Sequence, residues 1–336
     1  MKDLIRKLVE AWGPSGFEHQ VRELIRNEVE GLADEIRVDA LGNLICRVGK
    51  AKKNGLKIMV AAHMDEIGLM VSHIDRDGFL RFTNIGGLLQ NTLFGNRVKF
   101  ENGVIGTIGV EHGLTNRQRN PSMTGFFVDV SESVESNADI KVGDAAILWR
   151  TMDERGSRLI AKSIDNRISC AVSIETMKRL KKSPHEVYFV FTVQEEVGSR
   201  GAQVAAYGIE PDLGLAVDVT STGDVPKTVN MDVELGKGVA IKVMDVKHIV
   251  PPEIKKWMVD TAEKHKIPYQ LEVLTLGTTD SETMQLARAG VPCGTVSIPT
   301  RYVHSVSETV DYNDVLASVD LLTALLSNPV KNAHPV

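Results

Sequence analysis

The chain has 336 residues, 43% hydrophobic and 25% charged, with 39 Lys and Arg against 44 Asp and Glu for a formal net charge of −5. That mild acidity speaks against nucleic acid as the main partner, because phosphate contact needs clustered basic side chains. The three cysteines, Cys46, Cys170 and Cys293, are too far apart for a disulfide framework or a cysteine-rich zinc site, and no stretch has the uninterrupted apolar length of a signal core or a membrane span.

These features predict a reducing, cytoplasmic setting without a membrane partner. Leu4, Ile5, Leu8, Val9 and Trp12 recur at helical spacing over 2–12, and Gly-Pro-Ser-Gly at 13–16 breaks the pattern. A second helix is predicted over about 17–31, from Val21, Leu24, Ile25 and Val29. Two apolar segments at 35–38 and 43–48 flank a turn signal at 40–43. The run KIMVAA at 57–62 is continuously apolar, the pattern of a strand buried on both faces.

From about 67 to 160 the texture changes to short strands alternating with Gly-rich turns, with at most a short helix near 131–138. The polar stretch 111–125 reads as a mobile loop. After 160, strands and helices alternate again. RLIAKSI precedes a helix at about 166–181, HEVYFVFTV is a strong buried strand, and a helix follows at 199–207. DLGLAVDV, GVAIKVM, a helix at 252–265, YQLEVL, a helix at 281–289, CGTVSI and a helix at about 313–326 complete the chain. This predicts an α/β fold, a mixed sheet sandwiched by helices and built from 1–66 plus 161–336, interrupted by a small β-rich insertion at 67–160.

In open α/β sheets, sites form at the carboxyl ends of strands. His63 and Asp65 follow KIMVAA, Asp165 follows RLIAKSI, Glu195 and Glu196 follow VYFVFTVQ, Asp218 ends LGLAVD, and His304 follows GTVSIP and a short turn. Two imidazoles with several carboxylates and no thiolate suit Zn, Co, Mn or Fe in a reactive rather than structural site. A shared carboxylate can bridge two metals about 3.5–4 Å apart. Such a pair clamps a hydroxide whose parent water has its pKa lowered to roughly 7, while one metal polarises the scissile carbonyl. A carboxylate must still carry the proton from the water to the leaving amine. On an extended backbone Glu195 and Glu196 would point opposite ways, one to metal and one to substrate.

The runs AAHMDEIGLMV at 61–71, SIDNR at 163–167, TVQEEVGSRGA at 192–202, AVDVT at 216–220, GTTDS at 277–281 and RYVHS at 301–305 resemble the dimetal aminopeptidases typified by glutamyl aminopeptidase and the TET peptidases, relatives of which are sometimes labelled endoglucanase. The resemblance implies removal of N-terminal residues from peptides with a free N-terminus, by a metal-bridging hydroxide. Asp165 would bridge two divalent ions, Zn or Co before Mn. His63 and Asp218 would complete one site, Glu196 and His304 the other. Glu195 would be the general base, and Asp65 would orient His63 by accepting its second ring N–H. The insertion at 67–160 would mediate dimerisation, within a homo-oligomer anywhere from a dimer to a tetrahedral dodecamer. One departure stands out: Thr278 occupies a position where the family usually has glycine, which bears on substrate preference and on activity if that backbone approaches the substrate or needs positive φ.

Taken singly, these residues have blander readings. Asp165 reads as a helix N-cap, Glu195 and Glu196 as a solvated loop, Asp218 as a turn cap, and His304 as a surface histidine. Lys162 and Arg167 read either as partners of the site or as surface residues. Asp280 reads as the N-cap of the helix at 281–289 or as the partner in a structural bond, rather than as a ligand. His19, His73, His112, His185, His248, His265 and His334 read as residues outside the site, most of them solvated, and Trp12, Trp149 and Trp257 as packing anchors. An N-acyl deacylase with the same site and a catalytically silent scaffold are the alternatives. A glycosidase, which needs two carboxylates and no metal, is disfavoured by the 5% aromatic content.

Overall fold

The computed structural model describes residues 1–111, 122–131, 140–228 and 230–330. The loop expected over 111–125 lies mostly outside these residues. So do the short helix near 131–138, His112 and His334. Helix α1, Lys2–Glu10, buries Leu4, Ile5, Leu8 and Val9 on one face. Helix α2, His19–Val29, buries Val21, Ile25 and Val29. The first strands are β1 (Glu35–Val38), β2 (Leu44–Val48) and β3 (Lys57–His63).

Six strands follow: β4 (Gly68–Ile74), β5 (Leu80–Ile85), β6 (Arg97–Phe100), β7 (Ile105–Val110), β8 (Phe126–Asp129) and β9 (Ala145–Leu148). They close into a barrel in the order β4-β5-β8-β7-β6-β9. Its interior is apolar, with Leu69, Val71, Leu80, Phe82, Val98, Phe100, Ile108, Phe126 and Val128 in one cluster. Closure removes the free edges that a small isolated sheet would otherwise expose.

The rest of the chain returns to the α/β unit. Strands β10 (Asp153–Arg155), β11 (Arg158–Ala161), β12 (Glu186–Thr192), β13 (Leu213–Thr220), β14 (Val239–Met244), β15 (Tyr269–Val273), β16 (Cys293–Arg301) and β17 (Glu308–Asp311) join β1–β3 in an 11-stranded sheet. Its main path runs β1-β2-β12-β3-β13-β16-β17-β11-β10. At the centre β12, β3, β13 and β16 are parallel neighbours.

Alternation along β3 shows why this sheet is covered on both sides. Ile58, Val60 and Ala62 face the helix Ile164–Arg179 through Ile168, Ala171 and Val172. Met59 and Ala61 face the helix Arg200–Ile209 through Ala202, Ala205 and Ala206. Each large aliphatic side chain buried this way contributes about 1.5–3 kcal/mol. Among the described residues no helix is long and apolar enough to cross a membrane.

Several expectations need correction. The helix expected at 281–289 spans only Ser281–Met284. Beyond it the bonds tighten to Leu286 N–H on Thr283 O and Ala287 N–H on Met284 O, and Arg288 turns left-handed with φ 54°. The helix expected from 166 begins at Ile164, with Asp165 and Asn166 non-helical inside it. His185 and His248 are buried rather than solvated. The His185 Nδ1 accepts from the Leu56 N–H, and its Nε2 donates to the Asn328 carbonyl.

Candidate metal centre

Register brings the candidates together. His63 ends β3 directly opposite Thr192, the last residue of β12. Asp218 lies in β13 opposite Ser297 of β16. The parallel strands therefore finish at one rim, where successive loops deliver Glu195, Glu196 and His304. Asp165 arrives at the start of the helix Ile164–Arg179.

Asp165 occupies the centre of this rim. Its Oδ1 lies 3.1 Å from His63 Nε2, and its Oδ2 lies 3.5 Å from His304 Nε2. One carboxylate thus presents a separate oxygen to each imidazole. Asp218 Oδ1 and Glu195 Oε2 each lie 3.8 Å from His63 Nε2, and Glu196 Oε2 lies 3.2 Å from His304 Nε2. The side chain of Asp165 is not an N-cap. Ser163, with φ 48°, occupies that position.

The electrostatics are those of crowded carboxylates. Burial pushes Glu195 well above the usual carboxylate range; the His63 imidazole offsets part of this and the Asp218 charge adds to it. Burial likewise raises Asp218, against His63 and with Asp165. For Asp165 burial is outweighed by hydrogen bonds to His304 and His63, which hold it below its ordinary value. Burial opposes the charged form of His304, but Glu196 and Asp165 outweigh it and push the imidazole up to about 12.

A divalent cation fits this donor set. His63, Asp165 and Glu196 offer three donor atoms all within 4.8 Å of one another. Glu196 Oε1 is buried without a hydrogen-bond partner, as a buried carboxylate oxygen awaiting a cation would be. Imidazole and carboxylate without thiolate is the chemistry of Zn, Co and Mn.

The expectation that Glu195 and Glu196 diverge on an extended backbone does not hold. Gln194 is left-handed with φ 56°, and the Gly198 and Ser199 N–H groups both return to Glu195 O. In this tight turn both carboxylates face the same cavity. Asp65 ties the turn down. Its Oδ1 accepts from the Glu195 N–H at 3.0 Å, and its Oδ2 accepts from the Glu196 N–H at 3.1 Å and the Ser15 hydroxyl at 2.5 Å. His63 Nδ1 is 3.2 Å from the Asp65 carbonyl and 3.4 Å from its Oδ1. Asp65 thus braces His63 with backbone and side chain together.

Sequence reasoning missed other supports. Glu308 is buried and accepts from the Asp165 N–H through Oε2 and from the His304 N–H through Oε1. It joins the backbones of two segments far apart in the chain, and it holds His304 at φ 64°, a conformation costing a non-glycine residue about 1–3 kcal/mol. No motif around Glu308 signals this.

The barrel also reaches the centre. The Gly87 carbonyl lies 3.0 Å from His304 Nδ1. A carbonyl only accepts, so Nδ1 donates to it, and Nε2 is the ring nitrogen turned toward Asp165 and Glu196. A Cβ at Gly87 would sit 2.6 Å from that Nδ1, so the close approach needs glycine. The pair Gly86-Gly87 was the available signal.

Lys162 and Arg167 are not surface residues. Both are buried against Glu66, at 2.8 Å and 3.0 Å. Arg167 also donates to the carbonyls of Leu8, Gly13 and Met64, the last lying between His63 and Asp65. Asp280 occupies the N-cap position of the short helix without a side-chain capping bond, and its Oδ2 makes a structural bond, accepting from the Thr192 hydroxyl at 2.6 Å. At the departure from the family pattern, Gly277 takes the positive φ of 78°, not Thr278. Thr278 instead lines the cavity and bonds weakly to Asp245 at 3.4 Å.

A covered α/β sheet carrying this rim of imidazoles and carboxylates, interrupted by a small barrel, defines a metalloaminopeptidase, a hydrolase of the peptidase class. The chain belongs to the M42 glutamyl aminopeptidase family, whose sequence model matches residues 42–321. It is 37% identical to the lysyl aminopeptidase of Pyrococcus furiosus, over 96% of each chain. The solved aminopeptidase of Desulfurococcus kamchatkensis superposes with a TM-score of 0.92 at 41% identity, covering 97% of this chain and 94% of that one. The TET1 peptidase of Pyrococcus horikoshii, described as assembling into a tetrahedron or a large octahedral shell, superposes at 0.85 with 31% identity, over 97% and 98% of the two chains.

Proposed function

We propose that the chain removes N-terminal residues from peptides with two divalent ions, Zn or Co before Mn, and that Glu195 is the general base. The observation that carries this reading is Asp165, whose two oxygens face two different histidines. Asp165 would bridge the ions, His63 and Asp218 would complete one position, and Glu196 and His304 the other. When bound, such a pair lowers the pKa of a water and polarises the scissile carbonyl. Glu195 would take the proton from the attacking water and deliver it to the leaving amine, a role its carboxylate is placed for, lining the cavity beside His63. Asp65 keeps the Glu195–Glu196 turn and the His63 ring in place. Gly87 keeps the His304 proton on Nδ1.

The cysteines are free and buried, which supports a reducing, cytoplasmic setting. Exposed Leu271 and Val273 on β15, with Leu276 and Ile249 nearby, support assembly into a homo-oligomer, between a dimer and a tetrahedral dodecamer. Phe94, 66% exposed beside the barrel, supports a dimerisation role for 67–160.

The test is hydrolysis of unblocked aminoacyl-anilides by metal-loaded protein, beside a chelated sample and Glu195→Gln. Turnover is expected only with metal, falling by about 10²–10⁴ in the variant while metal stays bound. Activity retained by Glu195→Gln would overturn the base assignment. No turnover from protein holding about two ions per chain would overturn the aminopeptidase reading.

A further inference from the structure

The metal centre opens into a cavity of about 560 Å³, within the range of small-ligand sites. Its floor is the His63–Asp165–Glu195–Glu196–Asp218–His304 group. Its walls are largely apolar, with Leu89, Leu274, Leu276 and Val303. Among the described residues that line it, Lys247 is the only Lys or Arg, and Glu282 is the only carboxylate outside the metal centre.

These two pair with each other. Lys247 Nζ donates to Glu282 Oε1 at 3.1 Å. The Lys247 side chain is 59% exposed and that of Glu282 is 11% exposed, so the ammonium approaches from the solvent side and the carboxylate sits deeper. Glu282 Oε2 is buried and has no hydrogen-bond partner. Both residues are fixed from behind: the Lys247 N–H donates to Asp245 Oδ1, its carbonyl accepts from the Gln285 amide, and Glu282 belongs to the short helix Ser281–Met284.

From this arrangement we infer that the Lys247–Glu282 pair sets the charge preference for the N-terminal side chain of the substrate. The inference rests on the aminopeptidase reading above, because only then does a substrate side chain enter this wall. Paired, the two charges cancel and leave an apolar lining, so wild-type protein selects large uncharged side chains. A guest carboxylate would have to compete with Glu282 for Lys247. A guest ammonium would have to compete with Lys247 for Glu282. Removing either partner frees the other. Lys247→Ala leaves a carboxylate that recruits basic side chains, and Glu282→Gln leaves an ammonium that recruits acidic ones.

The experiment compares leucyl, lysyl and glutamyl anilides for kcat/KM in wild type, Lys247→Ala, Glu282→Gln and the double variant. Binding of the corresponding amino-acid amides is measured by calorimetry in a Glu195→Gln background. The expected result is a leucyl preference in wild type. The lysyl-to-leucyl ratio should rise about tenfold in Lys247→Ala and the glutamyl-to-leucyl ratio about tenfold in Glu282→Gln, with the double variant returning toward wild type. Turnover with both ratios unmoved in the single variants, or a wild-type preference for a charged side chain, overturns the inference while leaving the aminopeptidase reading intact. Amide affinities that shift as stated in a protein without turnover support the pocket assignment and count against the aminopeptidase reading instead.

Discussion

Asp65→Asn removes one charge and one acceptor from a carboxylate that is fully buried. An amide nitrogen at the Oδ1 position would face both the Glu195 N–H and His63 Nδ1, so the amide belongs at Oδ2. There the Ser15 hydroxyl can turn to accept, but the Glu196 N–H then meets a donor. A hydrogen bond to a charged group contributes about 1.5–3 kcal/mol, which at about 1.36 kcal/mol per decade is roughly 10- to 150-fold in an equilibrium. That loss falls on the turn carrying Glu196, so metal affinity at the Glu196–His304 position should drop by about 10- to 100-fold, as for other outer partners of metal ligands. Calorimetric titration of chelated protein with zinc measures this directly, with circular dichroism as a check that both proteins are folded. Affinity within about threefold of wild type, together with unimpaired turnover, would refute the bracing role of Asp65.

Arg167→Leu should cost about 3–5 kcal/mol of stability, because it breaks a buried ion pair with Glu66 and strips donors from the carbonyls of Leu8, Ala11, Gly13 and Met64; a denaturant midpoint equivalent to less than about 1 kcal/mol of loss would contradict this. The Arg301 guanidinium, paired with Asp224 at 2.6 Å and 2.9 Å, holds the Asp224 carboxyl well below the usual range. A depressed carboxyl contributes stability that is complete above its unfolded pKa, near 4, and lost as pH falls toward the folded value. Asp224→Asn should therefore cost about 1 kcal/mol near neutral pH after allowing for solvent screening, with the gap narrowing below about pH 4; urea midpoints that stay equally far apart in acid would rule this out. Thr278→Gly should lower stability by about 0.5–1 kcal/mol through backbone entropy alone. Calorimetry on that variant should find metal affinity unchanged, since Gly277 already supplies the left-handed residue.

Much of the plan was legible because it rests on short-range patterns. Apolar runs such as KIMVAA and HEVYFVFTV mark strands covered on both faces, and the acid or histidine closing each run marks the rim where a site can form. Those signals depend only on side-chain polarity along one short run, because successive strand residues face opposite sides and a continuous run must be covered on both. The alternating texture of 67–160 similarly announced strands, though not that six of them close into a barrel. Closure depends on pairings such as β4 with β9, distant in the chain.

Where side chains point was a different matter. The identity of Glu195 and Glu196 was in the sequence, but their shared direction follows from a left-handed Gln194 and from a carboxylate 130 residues away. Lys162 and Arg167 looked as suited to solvent as to the interior until Glu66 was placed beside them. Glu308 carried no local signal, because its two acceptors serve the backbones of Asp165 and His304, segments that only the folded sheet brings together. The shortening of the helix after Met284 was equally hidden, since the left-handed Arg288 overrides good helical propensity. Sequence by itself determined which chemical groups reach the rim. Only the tertiary structure decided which backbone N–H or buried charge restrains each one, because most of those restraints join segments distant in the chain and leave no periodic trace.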